Sequence, residues 1–181
     1  MTFDAAFFLG LITSLMVLIS FQLKDMRYVL MCQIISNGTC AVGYLLAPTS
    51  GLSGFAIFAV AILQCIVFFI LRYKGVNEPK FAAYIFAAGY LACSLLTYKS
   101  PLDVFSAVAA QTCAFGLAQK SASFYRLLLL FNGILWLTYD LLLPAAITIT
   151  LSHVITIASS FIGIVRLDIL AKRKKTMEKK I

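Results

Sequence analysis

Two asparagines stand in nearly the same setting. Asn37 opens NGTCAVGYLL and Asn132 opens NGILWLTYDLL, 132 − 37 = 95 residues apart, each followed at once by Gly and seven residues on by Tyr. Both lie in apolar runs, where an amide is costly unless something uses it. On a helix, Gln33, Asn37, Cys40 and Tyr44 share one face at steps of four, three and four, and Asn132, Trp136 and Tyr139 share another. Opposed across an interior, two such faces supply amide donors and acceptors, phenol hydroxyls and one indole. That chemistry suits a neutral or zwitterionic polar metabolite, with the rings against its flat or apolar part. The competing reading is interhelical hydrogen bonding, which also favours Asn and Gln between membrane helices. Tyr44 and Tyr139, near helix ends, fit an interfacial belt as well.

Other polar residues divide between chemistry and packing. His153 is the only histidine, and imidazole titrates near neutral pH, so it is the candidate proton carrier. Thr156 and Ser160 share its helical face and would satisfy it as a neutral residue. Asp140 is expected among the headgroups, with a pairing to His153 or the Lys99 region as the alternative. Gln64 and Gln111, central amides without a repeat partner, read as links between helices. Thr148, Ser152, Thr156, Ser159 and Gly163 form a small-residue stripe of the kind that marks close helix packing, with the wall of a hydrated pathway as the alternative. Cys32, Cys40, Cys65, Cys93 and Cys113 all lie in apolar runs without C-x-x-C spacing and read as small buried hydrophobes. No disulfide framework, metal site or cofactor is expected.

Composition explains where these residues must sit. Of 181 residues, 62% are hydrophobic and 12% charged, with mean hydropathy +0.97, whereas soluble domains are about 25% charged. A soluble core could not hide so much apolar surface. A membrane-spanning helix needs about 20 apolar residues, and seven such runs occur: 3–21, 28–47, 52–71, 81–98, 102–118, 124–143 and 145–167. Lys24 to Arg27, Pro48 to Gly51, Arg72 to Lys80, Lys99 to Pro101, Gln119 to Ser123, and Pro144 break them. The start, Met1-Thr2-Phe3-Asp4, has no basic n-region, so the first run is expected to be retained.

Basic residues set the orientation. With the N-terminus outside, Lys99 alone falls on the outer face and the other fourteen Lys and Arg residues fall inside. The net charge of +8 is therefore a topology signal. Lys172-Arg173-Lys174-Lys175 reads as a cytoplasmic anchor touching lipid headgroups; no aromatics are interleaved with it to stack nucleic-acid bases.

The expected architecture is all-α: seven transmembrane helices as two parallel three-helix bundles joined by a linker helix (3+1+3), N-out and C-in. Residues 1–75 form the first repeat, 76–99 the linker, 100–168 the second repeat and 169–181 the basic tail. A three-span unit ends on the side opposite its start, so one extra helix lets its copy run the same way.

On these residues the chain resembles a known group. Asn132-x3-Trp136-x2-Tyr139 is similar to the N-x3-W-x2-Y pattern of the SWEET and PQ-loop superfamily, and Gln22 and Gln119 look like relics of its Pro-Gln dipeptides. Length and short loops look most like the YgjV family of bacterial inner-membrane proteins, a relative of that superfamily. The resemblance implies a seven-span 3+1+3 fold in the bacterial inner membrane. It departs at Phe21 and Ala118, where Pro would precede Gln, at Ala41, which stands where a second Trp would be, and in spans three and seven, which carry no Asn. Proline hinges and sugar specificity therefore do not carry over.

The expected function is a SWEET-like carrier or facilitator of a small polar metabolite by alternating access. Its substrate residues would be Asn37, Asn132, Trp136, Gln33, Tyr44 and Tyr139, with His153 coupling protons. The alternative is a non-transporting receptor, chaperone or complex subunit on the same fold. An enzyme is not expected: only one acid, Asp140, lies near the interior, and no G-x-S-G turn or P-loop occurs. No charge ring or Gly-rich filter suggests a channel. Expected partners are the bilayer, a small polar solute and a second copy of the chain, not nucleic acid.

Overall fold

The computed structural model describes residues 5–46, 51–76, 79, 81–142 and 147–170. Asp4, the Pro48 to Ser50 and Pro144 breaks, Lys80, and the tail from residue 171 lie outside the described residues, as does the side chain of Thr148. Among the described residues seven α-helices follow one another: α1 (Ala5–Gln22), α2 (Met26–Leu46), α3 (Gly51–Tyr73), α4 (Ala82–Leu96), α5 (Asp103–Leu117), α6 (Ala122–Leu142) and α7 (Ile147–Gly163). A π-helical segment, Ile164–Leu170, extends α7, and no strand occurs among the described residues. The last run therefore goes on past residue 167 with a changed winding. Four helices are long and apolar enough to cross a membrane, Met26–Leu46, Gly54–Tyr73, Ala122–Leu142 and Thr150–Leu170; α1, α4 and α5 are shorter apolar helices.

Local chemistry sets the ends. Asp25 precedes α2 and accepts the backbone N–H of Arg27 at 2.9 Å, which satisfies one of the first-turn donors. The Arg27 guanidinium also pairs with Asp25 at 2.6 Å. Together the side-chain and backbone bonds hold the Asp25 carboxyl below the usual carboxylate range. After α3, Gly75 adopts φ +66°, the left-handed conformation that glycine tolerates best. Its N–H then bonds Arg72 O at 3.2 Å and that of Val76 bonds Leu71 O at 2.9 Å, a Schellman ending for the helix.

The helices pack in a closed order. α1 lies against α2 and α7, α2 against α3, α3 against α4 and α5, α4 against α5, α5 against α6, and α6 against α7. The central amides link neighbours: Gln64 donates to Ala114 O at 2.7 Å and Gln111 to Ala87 O at 3.1 Å. The small-residue stripe of α7 is divided: Ser159 donates to Leu18 O of α1 at 3.3 Å, whereas Ser152 and Thr156 turn to the interior. Large apolar residues point outward all round, among them Phe8, Leu63, Leu95 and Leu141. Water-facing surfaces rarely carry so much continuous apolar area.

Candidate functional site

A narrow cavity of about 60 Å³ lies where the seven helices meet. Each helix contributes to its wall, from Thr13 on α1 and Tyr90 on α4 to Ser152 on α7. By the measure of about 10–15 Å³ for one water, it holds a few water-sized species. Of the expected substrate residues, Gln33, Asn37, Asn132 and Trp136 line it, and so does His153. Tyr44 and Tyr139 do not; they stand just beyond, packed on residues that do.

The two asparagines are held differently. Asn132 is buried and donates to Ala109 O at 2.6 Å and to Thr112 Oγ1 at 3.1 Å, which ties α6 to α5. Among the described residues the Asn37 amide meets only Cys65 Sγ, at 3.8 Å, a weak acceptor. Gln33 donates to Ser20 Oγ at 3.0 Å, joining α2 to α1. The amide of Asn37 is therefore the least committed of the three.

On one side the cavity is bounded by stacked rings. Tyr44 stacks on Phe58 (centroids 5.4 Å), Phe58 on Trp136 (5.9 Å) and Trp136 on His153 (5.7 Å, planes 14° apart). Tyr139 meets the Trp136 ring edge-on and donates its hydroxyl to Asp103 Oδ1 at 2.9 Å. Tyr44 lies so close to Gly54 that a Cβ there would overlap its ring. No polar partner meets the Tyr44 hydroxyl among the described residues.

The expectation for Asp140 is corrected. It is 5% exposed, and Oδ2 lies 2.7 Å from His153 Nδ1. A carboxylate one turn from Trp136 on a packed helix points inward, out of reach of headgroups. His153 is accordingly satisfied by Asp140 and not by Thr156 or Ser160. The signal was present: an acid within a membrane helix is a functional candidate by default. Thr13, Ser36, Phe58 and Ser152 also line the cavity, and only their proximity in the fold reveals them.

Away from the ring column, guanidinium groups tie the helix ends. Arg126 is 2% exposed; it donates to Phe21 O at 3.3 Å and Leu23 O at 3.0 Å and pairs with Asp168 at 2.7 Å. Ser123 also donates to Asp168. Arg72 donates to Leu117 O at 3.3 Å and Gln119 O at 2.9 Å. Each arginine satisfies carbonyls left open where a helix ends, Arg126 for α1 and Arg72 for α5.

The sequence model of the family Imp-YgjV, bacterial inner membrane protein, matches residues 4–170. No curated protein matches the chain, and no solved structure does.

Proposed function

The chain belongs to the Imp-YgjV family of bacterial inner membrane proteins, and from that premise we propose that it carries a small polar metabolite across the membrane by alternating access through the central cavity. In this reading α1–α3 and α5–α7 are like-oriented halves, α4 is the linker, and the N-terminus lies outside. One observation carries it: Asn37 and Asn132, from matching stretches, line a single cavity to which every helix contributes.

The internal correspondence supports the halves. The offset of 95 residues that relates the asparagines also relates Ile57, Phe58 and Ala61 to Ser152, His153 and Thr156, and all six line the cavity. It relates the contact of α1 with α7 to that of α5 with α3, and both contacts are present. It relates the α1 ending held by Arg126 to the α5 ending held by Arg72, so each half caps the other. Two units joined by a few reciprocal ties can rock about a fixed site. The apolar trio on α3 against the polar trio on α7 makes these two matched positions unequal, with hydrogen-bonding groups on the α7 side alone.

The test is a thermal-shift screen of the purified protein against amino acids, polyols and small organic acids, followed by uptake into proteoliposomes. A ligand bound only by the folded state raises the melting temperature. Asn37→Ala and Asn132→Ala are expected to remove the shift and the uptake while the protein still inserts. Unchanged binding in both variants removes the pocket. A second reading, a non-transporting receptor or complex subunit, is favoured by the cavity's small size, about 60 Å³ against roughly 300 Å³ and more for ordinary ligand sites. A stable co-purifying partner without solute flux would carry that reading instead.

A further inference from the structure

We propose that Asp140 and His153 form a proton-binding pair, and that the bound proton holds the ring column against the cavity. Proton coupling through this pair rests on the carrier reading; the proton site itself does not.

The pair has two states. With Asp140 ionised and His153 neutral, Nδ1–H donates to the carboxylate over 2.7 Å and the buried pair carries one net negative charge. Adding one proton gives an imidazolium–carboxylate pair, or two neutral partners, with no net charge. A low-dielectric interior penalises the first state, because an uncompensated charge there is costly. The proton enters from water on one side of the cavity and returns to water on either side, so no other reactant is needed.

Surroundings make the pair a sensor. Asp140 Oδ1 is buried and has no hydrogen-bond partner among the described residues, so the carboxylate is only half satisfied. α1 has no titratable side chain between Ala5 and Gln22. α2 brings Cys40 and Tyr44, and α6 brings Tyr139, all close enough to feel the Asp140 charge. α5 reaches the pair only through Asp103, by way of the Tyr139 hydroxyl. Arg166 and Asp168 of the π segment lie more than three turns along from His153, with Asp168 bound to Arg126. No Lys or Arg among the described residues is paired with Asp140, so the proton is its one available counter-charge.

The link to the cavity is His153 itself, which stacks on Trp136 at 5.7 Å with planes 14° apart. An imidazolium over an indole face is attracted by the ring electrons, and a neutral imidazole much less so. Through Trp136 and Phe58 the effect runs to Tyr44, across both halves of the chain. Proton loss therefore loosens the column just where Asp140 gains an uncompensated charge that water can relieve.

The chain has one Trp and one His, so Trp136 emission reads the His153 ring alone. In lipid nanodiscs, emission is expected to fall along a one-proton curve between pH 8 and pH 5, since imidazolium in contact quenches indole. Asp140→Asn should move the step to lower pH, the effect of losing an adjacent opposite charge. His153→Gln should abolish the step. Acrylamide should quench Trp136 at least twofold more steeply above the step than below it. Nitrogen NMR of ¹⁵N-histidine in the native chain follows the same titration without any substitution. A flat emission curve with a single histidine protonation state from pH 5 to 8 overturns the pair, and an acrylamide slope that ignores the step overturns its hold on the column. Neither result depends on a solute, so both leave the carrier reading standing; a failed metabolite screen does the reverse.

Discussion

The two ends of the cavity are built on opposite plans. At the arginine end, the Arg126 side chain donates to two backbone carbonyls and to a carboxylate, and Arg72 repeats the device on α5. Directional, charge-assisted bonds of this kind fix geometry. At the ring end, cohesion comes from stacked faces; buried polar atoms without a hydrogen-bond partner among the described residues occur at both ends, the Tyr44 hydroxyl and Asp140 Oδ1 here and Gln22 Oε1 and the Tyr125 hydroxyl there. Stacking, unlike directional hydrogen bonds, tolerates sliding. Under the proposed carrier reading, movement should therefore start at the ring end, with the arginine end as the pivot.

The largest effect expected from breaking this contrast is at Arg126. Arg126→Met removes the charged partner of the half-buried Asp168 and frees the Phe21 and Leu23 carbonyls, a loss approaching the about 3–5 kcal/mol of a broken buried pair. A melting curve by size-exclusion thermostability should show it as the least stable point variant. Next come two glycines, one at each end. A Cβ at Gly163 would press on Arg126 Cδ (2.7 Å) and on Phe21 O (2.8 Å), so Gly163→Ala should cost about 1–3 kcal/mol as overpacking. Gly54→Ala would bring a Cβ into overlap with the buried Tyr44 ring; besides its own stability cost it should displace the ring column and raise acrylamide quenching of Trp136. Unchanged quenching in Gly54→Ala would contradict the pivot.

Much of the fold was legible in the sequence, because lipid as solvent leaves the backbone few choices. Apolar runs broken by Lys24 to Arg27 or Lys99 to Pro101 became helices within a few residues of their expected ends. The cavity lining was legible where polar residues are rare: Asn37, Asn132, Trp136 and His153 stood out against apolar neighbours. Asp140 was misplaced because its position near a helix end suggested headgroups, and only the crossing of α6 and α7 shows that it faces His153. Arg126 was read as a topology charge; its burial depends on Asp168 arriving from the far end of the chain. Neither the π-helical turn at Ile164 nor the ring column leaves a local pattern, since the column draws on four helices separated by up to 109 residues (153 − 44).

The smallest difference is the one between the matched asparagines, and it bears most directly on the site. Asn132 makes two good bonds to α5, whereas Asn37 has one long contact to sulfur. Interhelical hydrogen bonds in membranes average about 0.6 kcal/mol and reach about 1.7. Asn132→Ala should therefore lower stability by roughly 1–2 kcal/mol, and Asn37→Ala by less than about 0.6 kcal/mol. Binding should rank the other way for selectivity: an amide already spent on Ala109 and Thr112 has less to offer a solute than one facing only Cys65. Asn37→Ala that melts like the parent protein yet fails to respond to any ligand would assign Asn37 to recognition and Asn132 to the scaffold that presents it. If both variants instead lose stability and binding in proportion, the two amides act as matched struts and the asymmetry of their partners has no functional meaning.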